Sequence, residues 1–482
     1  MAQIYVIKKA KTKVTTNCFF GIFTFAPLMK NIEELREAHV GRLMLKYFVP
    51  AFIGVFVNAL YNIVDRIFIG QGVGAEALSG VSVIFPVMMI MMGFGMLIGI
   101  GTGVYVSISM GKKQMDRAEK TLGTGFVLML ISSVLIMIAT YAFKVPLLRS
   151  FGSTGETFRY ANEYLNIILS GVLFMVVGFS LNNVIRSEGN ARIAMVSMLL
   201  SSVTNIVLDA IFIFGFGMGV KGAAYATVIS MFVLMIWVLY HFIKSKRSVI
   251  RLKVRNIRID REIVLEILAI GMAPFSMQVA GSLVQALLNK KLIVFGGDLA
   301  VGAMGIINSM LTLVVMAIVA LNMASQPIIG FNYGAKSVDR IKQALRITLI
   351  YATLISVVSY VFIEAFPGLI IKGFNNDSET LYQIAHRGLR LVVLAMPLIG
   401  FQVVASNFFQ SIGKAGLSMF ATLFRQVIVL IPLLFILPRF FEIDGIWLSY
   451  PISDVISAMA VVFLLNREWK RLPLMLQSNE EN

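Results

Sequence analysis

A chain of 482 residues that is 58% hydrophobic and only 14% charged, with a mean hydropathy of +0.84, lacks the polar groups to cover a soluble surface of its size. Its net charge of +17 is set out in short segments between apolar runs, which reports membrane topology and excludes nucleic acid as the expected partner. One cysteine, Cys18, excludes an intrachain disulfide and a cysteine-based metal site; with His39, His241 and His386 scattered near span ends as interfacial residues, no catalytic constellation or cofactor site can be assembled, so an enzyme is not expected.

In chain order, residues 1–28 carry a basic cluster, KKAKTK, and the twelve-residue apolar run NCFFGIFTFAPL. That run is too short to span a bilayer and no small-residue cleavage site follows it, so the segment reads as a disordered or mis-assigned extension, with Met29 an alternative start. NIEELREAHVGRLMLKY then reads as an amphipathic helix along the cytoplasmic face, with the N-terminal segment ending at about residue 40. The uncharged run 47–64 opens the first span, and further charge-free stretches follow at 77–111, 121–143, 164–185, 222–243, 267–289, 299–335, 347–363 and 391–413. About 20 apolar residues cross a bilayer core as helix, and the pattern predicts an all-α polytopic membrane protein of twelve transmembrane helices. The loop KSKRSVIRLKVRNIRIDRE, 244–262, holds eight Lys/Arg. By the positive-inside rule this loop, both termini and the tail 468–482 are cytoplasmic, where the basic residues meet anionic lipid headgroups.

The chain also matches itself at an offset of about 223. GKKQMDRAEKTL from Gly111 aligns with GAKSVDRIKQAL from Gly334, pairing Lys113 with Lys336, Asp116 with Asp339, Arg117 with Arg340 and Leu122 with Leu345. Pro50 pairs with Pro274, Gly178 with Gly400, Gly189 with Gly413 and Gly222 with Gly445. The halves, an N-lobe over 41–243 and a C-lobe over 263–467, each hold an even number of spans. They therefore share one orientation, an arrangement that recurs in transporters with a cavity at the repeat interface.

Two carboxylates lie where the chain least tolerates them: Asp65 ends the first uncharged run, and Asp209 is the sole charge between Arg192 and Lys221. Neither recurs in the other half, so ion handling is expected in the N-lobe. Asn58, Asn62 and Asp65, with Tyr61, share one face of the first span; Ser201, Asn205 and Asp209 share one face of the fifth. Counted from Lys46 and Arg192, both acids lie about 25–29 Å along their helices from the cytoplasmic edge, at one depth. A carboxyl withdrawn from water holds a proton readily, and a pair with amide and hydroxyl oxygens suits Na⁺. The plainer alternative is that these groups bond neighbouring helices. Arg66 points about 100° from Asp65 and is expected to snorkel. Arg425, a second intramembrane charge, faces either a C-lobe cavity or a headgroup, while Glu364 and Asp454 read as solvated or helix-pairing residues nearer span ends.

Over about 40–467 the chain resembles the multidrug and toxic compound extrusion (MATE) transporters, closest to a prokaryotic branch typified by DNA-damage-inducible F-like and MepA-like proteins. The residues that carry the likeness are VDRIFIG around Asp65, RSEGN at Arg186–Asn190, Asn205 and Asp209 four apart, Thr227 eighteen later, and QPIIGFNYGA over 326–335. The resemblance implies two six-helix lobes around a V-shaped central cavity, alternating access, and exchange of H⁺ or Na⁺ for lipophilic, mostly cationic drugs or toxic metabolites. It implies a cation-responsive network at Asp65, Asn205, Asp209, Thr227, Tyr164 and Asn182, with Na⁺ at Asp65, Asn205, Asp209 and Thr227. Asn58, Tyr61, Asn62, Gln278, Asn289 and Arg425 are candidate cavity-lining residues. The C-lobe acids of the norfloxacin-transporting branch would fall near Ser282 and Gln402–Asn407, where no carboxylate exists. A monomeric efflux antiporter in a bacterial or archaeal plasma membrane is expected, with no cofactor besides the coupling ion. The alternative is a flippase for lipid-linked precursors, which would need a cationic cavity.

Overall fold

The computed structural model describes residues 29–151, 153, 155–374 and 379–477; the expectations for the extension 1–28 lie outside this range. The described chain is helical, with ten helices long and apolar enough to cross a membrane. Two further bent pairs complete twelve spans when each pair is counted as one. Spans one to three are Val40–Gly72, Ala75–Gly111 and Met115–Ser150. The fourth is the pair Gly155–Ser170 and Val172–Ser187, bent by 58°, and the fifth and sixth are Ala191–Gly215 and Gly219–Ile243. After the basic loop come Arg261–Gly297, Leu299–Gly334 and Val338–Ala365, then the pair Glu379–Val393 and Met396–Ser411, bent by 51°, then Ala415–Ile436 and Pro438–Pro473. Six spans thus precede the loop and six follow it.

The amphipathic helix is shorter than its sequence suggested. It covers Met29–Glu37 and breaks at Ala38–His39, after which VGRLMLKY continues directly into the first span. The break is held from the other lobe: Arg340 Nη2 donates to the carbonyls of Leu35 (3.1 Å) and Ala38 (2.8 Å), so these carbonyls cap one helix instead of continuing it.

The repeat is visible in backbone geometry. Lys113 and Lys336 both take left-handed φ, 60° and 58°, as do Gly189 and Gly413, at 93° and 77°. Spans five and eleven each carry a wider π-helical turn, Ala210–Gly215 and Phe424–Leu430, though about nine residues out of register with each other at the repeat offset. Equivalent residues meet on the axis between the lobes. A Cβ on Gly111 would run into the Phe331 carbonyl, and one on Gly334 into the carbonyl of Ile108, the repeat counterpart of Phe331. Such a self-complementary contact is what a two-fold axis produces.

Further along the same seam, Gly101 abuts Ile267 and Gly271 abuts Leu97, and Phe94 packs on Phe275 with ring centroids 4.7 Å apart. Arg117 at the start of the third span pairs across the seam with Glu266 (2.8 Å) and Glu262 (2.9 Å) of the seventh. These approaches run from the basic-loop end to mid-helix. Beyond them Phe85, Met92, Met277 and Leu283 are exposed. The lobes are zipped together on the basic-loop side.

Candidate functional site

The first and fifth spans carry one polar stripe each, and packing brings the stripes together. Gly54 lets the first span close on Met195 and Met198 of the fifth, and Gly72 does so against Ile213 and Phe214. Close approach at both ends leaves little freedom between them. Asp65 and Asp209 face each other near the far ends of these helices, within direct interaction range. Asp209 is fully buried and Asp65 is 9% exposed.

The surroundings of the pair are polar yet short of donors. Asn205, one turn before Asp209, donates from Nδ2 to Thr227 Oγ1 of the sixth span at 3.4 Å. Tyr164, buried on the fourth span, lies against Thr227 and within electrostatic reach of Asp65, as does Tyr61. Both carboxylate oxygens of Asp209, Oδ1 of Asp65 and Oδ1 of Asn205 are buried without a hydrogen-bond donor. Buried acceptors in that number call for explanation. Two like charges about 4 Å apart repel by about 4 kcal/mol even at an effective dielectric of 20. A proton or a small cation between them removes that repulsion, and four buried oxygens without donors suit either. Asp65, Asn205, Asp209, Thr227 and Tyr164 therefore form one cluster.

Asn182 does not join it. Its amide donates to Ala194 O (3.0 Å) and Ser197 Oγ (2.6 Å), about 18 Å before Asp209 along the fifth span. Arg66 leaves Asp65, as its position on the helix required, and stacks over the Phe85 ring at 5.1 Å. Of the candidate lining residues, Asn58 and Tyr61 are half-buried and Asn62 is exposed, its Nδ2 donating to Asn58 O at 2.7 Å. Gln278 lies half-buried against Gly93 of the second span, and Asn289 accepts from Gln285 Nε2 at 3.1 Å.

Three readings of charged residues are corrected. Arg425 meets neither headgroup nor open cavity alone: its Nε donates to Asp454 Oδ1 at 2.5 Å. Asp454 lies mid-span rather than near an end; it and Glu364, which pairs with Arg390, are of the two alternatives the helix-pairing kind. His241 is buried, bonded through Nε2 to a wholly buried Glu188, which also accepts from Asn190 Nδ2 (2.6 Å) and the Val249 amide (3.0 Å). Glu188 sits inside RSEGN, and only that motif marked it.

A bundle of two repeated six-span lobes, with a facing pair of buried acids in the N-lobe and a buried acid paired with arginine in the C-lobe, defines a membrane transporter. The MatE family model matches residues 50–211 and 274–436, one match per lobe. The chain is 28% identical to the multidrug export protein MepA of Staphylococcus saprophyticus over 437 residues, covering 90% of this chain and 96% of that protein. With MepA of Staphylococcus aureus MSSA476 it shares 26% over 440 residues, with the same coverage. Among solved structures it resembles a MOP superfamily transporter from Pyrococcus furiosus, described as having a binding pocket of reversed polarity. Identity there is 28%, coverage 92% of this chain and 98% of that one, and the TM-score 0.87. An outward-facing multidrug resistance MATE family transporter of the same superfamily gives 28% identity, the same coverage and 0.85. The protein belongs to the MatE family. It is a multi-pass membrane transporter and not an enzyme.

Proposed function

We propose that this protein is a cation-coupled antiporter exporting lipophilic, mostly cationic drugs or toxic metabolites by alternating access, with H⁺ or Na⁺ exchanged at the N-lobe cluster. The observation that carries this reading is the facing pair Asp65 and Asp209, whose buried oxygens lack donors. A cation entering the cluster neutralises the pair, changes how the first and fifth spans pack, and so biases the lobe toward one of two arrangements. The kinship to proteins named for multidrug export supports the substrate class. The basic-loop side is taken as cytoplasmic, so a conformation open on the opposite side releases substrate outward. The transporter acts as a monomer in a bacterial or archaeal plasma membrane, in contact with anionic lipid.

The flippase alternative loses support. It needs a cationic cavity for a pyrophosphate, and the intramembrane cation best placed to supply one, Arg425, is already paired with Asp454.

The test is efflux from proteoliposomes under an imposed pH gradient and, separately, an imposed sodium gradient. Asp65→Asn and Asp209→Asn are expected to abolish gradient-driven efflux at unchanged membrane insertion. Full transport by both variants would overturn the assignment.

A further inference from the structure

The C-lobe holds a charged cluster in the corner formed by its tenth, eleventh and twelfth spans, the repeat counterparts of spans four, five and six. Arg425 Nε donates to Asp454 Oδ1 at 2.5 Å, and Gln402 of the tenth span donates to the Asp454 backbone carbonyl. Tyr450, one turn before Asp454, is the other titratable group facing the pair among the described residues, and it occupies the position of Thr227 at the repeat offset of 223. The Asp454 side chain is 2% exposed and that of Arg425 24%. Asp454 is about 15 Å along its helix from Asp444 and about 20 Å from Arg467, so it sits between the two charged ends of the span.

The two lobes therefore treat buried acid differently at matching corners. In the N-lobe two carboxyls face each other with oxygens left bare. In the C-lobe one carboxylate is met by a guanidinium, which stays charged under any physiological condition. We infer that Arg425–Asp454 is a cation site whose cation is built into the chain, so that the C-lobe is closed to ion exchange. A buried carboxylate is neutralised by whatever cation reaches it. With Arg425 present, the site is satisfied and takes nothing from solution; without it, Asp454 must take an external cation, a proton being the smallest. For its meaning in transport the inference rests on the N-lobe reading above: one lobe exchanges ions, and the other carries a fixed one.

The experiment counts protons bound by purified protein in detergent, by potentiometric titration across the neutral range, for wild type, Arg425→Lys, Arg425→Gln and Arg425→Gln/Asp454→Asn. Arg425→Gln is expected to bind one proton more than the double variant, while Arg425→Lys matches wild type. In proteoliposomes, Arg425→Gln is expected to export with one added proton per substrate and the double variant to revert. Equal proton counts in Arg425→Gln and the double variant would overturn the inference. So would an Arg425→Gln protein that fails to fold while the double variant folds, because Asp454 then accepts no exchangeable cation, and so would failure of both, because the pair is then structural only. Repeating the titration in an Asp65→Asn/Asp209→Asn background separates the two readings. The added proton persists there whether or not the N-lobe pair drives transport.

Discussion

Glu188, Asp454 and the pair Asp65 and Asp209 are buried carboxylates satisfied in three different ways. Glu188 receives several donors from the turn after the sixth span and from His241, so its charge is fully engaged. Glu188→Ala leaves those donors bare and is expected to cost about 3 kcal/mol or more. It should appear as a large fall in melting temperature and membrane yield, whereas Asp209→Asn keeps both. At the N-lobe cluster the finer residue is Thr227, whose hydroxyl receives the Asn205 amide and lies against Tyr164. Thr227→Val removes about 1–1.5 kcal/mol of hydrogen bonding, so the cation concentration for half-maximal efflux should rise roughly tenfold with maximal efflux retained. An unchanged half-maximal concentration would place Thr227 outside the ion site.

Helices in this chain are easy to read because apolar runs of bilayer length leave little else for the backbone to do, every amide and carbonyl having to be paired internally. Their breaks are harder. The bends of 58° and 51° in spans four and ten fall inside runs free of charge and, in span four, free of proline. The bend in span four lies at Gly171, where a Cβ would meet Val228 of the sixth span, so a neighbour imposes it. The approach of spans one and five has a similar cause. Gly54 faces the flexible thioether of Met198, so Gly54→Ala is expected to be tolerated. Gly54→Leu overfills the contact, at about 1–3 kcal/mol, and separates Asp65 from Asp209. The check is that Gly54→Leu loses cation-driven efflux while Gly54→Ala keeps it.

Across the whole molecule the repeat creates a seam closed on the basic-loop side. Arg117 crosses it to Glu262 and Glu266, and its counterpart Arg340 crosses it to the carbonyls at the end of Met29–Glu37. Both bridges must open for the lobes to part there, as must the close contact at Gly111 and Gly334. Gly334→Ala, which drives a methyl into the Ile108 carbonyl, and Arg117→Ala with Arg340→Ala are each expected to shift the population toward the arrangement open on the basic-loop side. Distances between spin labels at the loop-side ends of spans two and eight should lengthen. Unchanged distances in both variants would show that the seam is held elsewhere.

Hydrophobic run lengths, the placement of basic residues and the self-similarity at 223 residues determined the span count, the two lobes and the candidate acids, because each of these is a property of the chain taken along its own length. The meeting of Asp65 with Asp209 was anticipated from equal depth on helices running the same way. Asn182 was put in the network by the resemblance and not by such counting, and its hydrogen bonds go to the start of the fifth span rather than its end. Nor was the pairing of Arg425 with Asp454, or of Glu188 with His241, where partners lie 29 and 53 residues apart. A charge in lipid announces itself by its cost. What neutralises it depends on which helices pack together, and tertiary structure alone decides that.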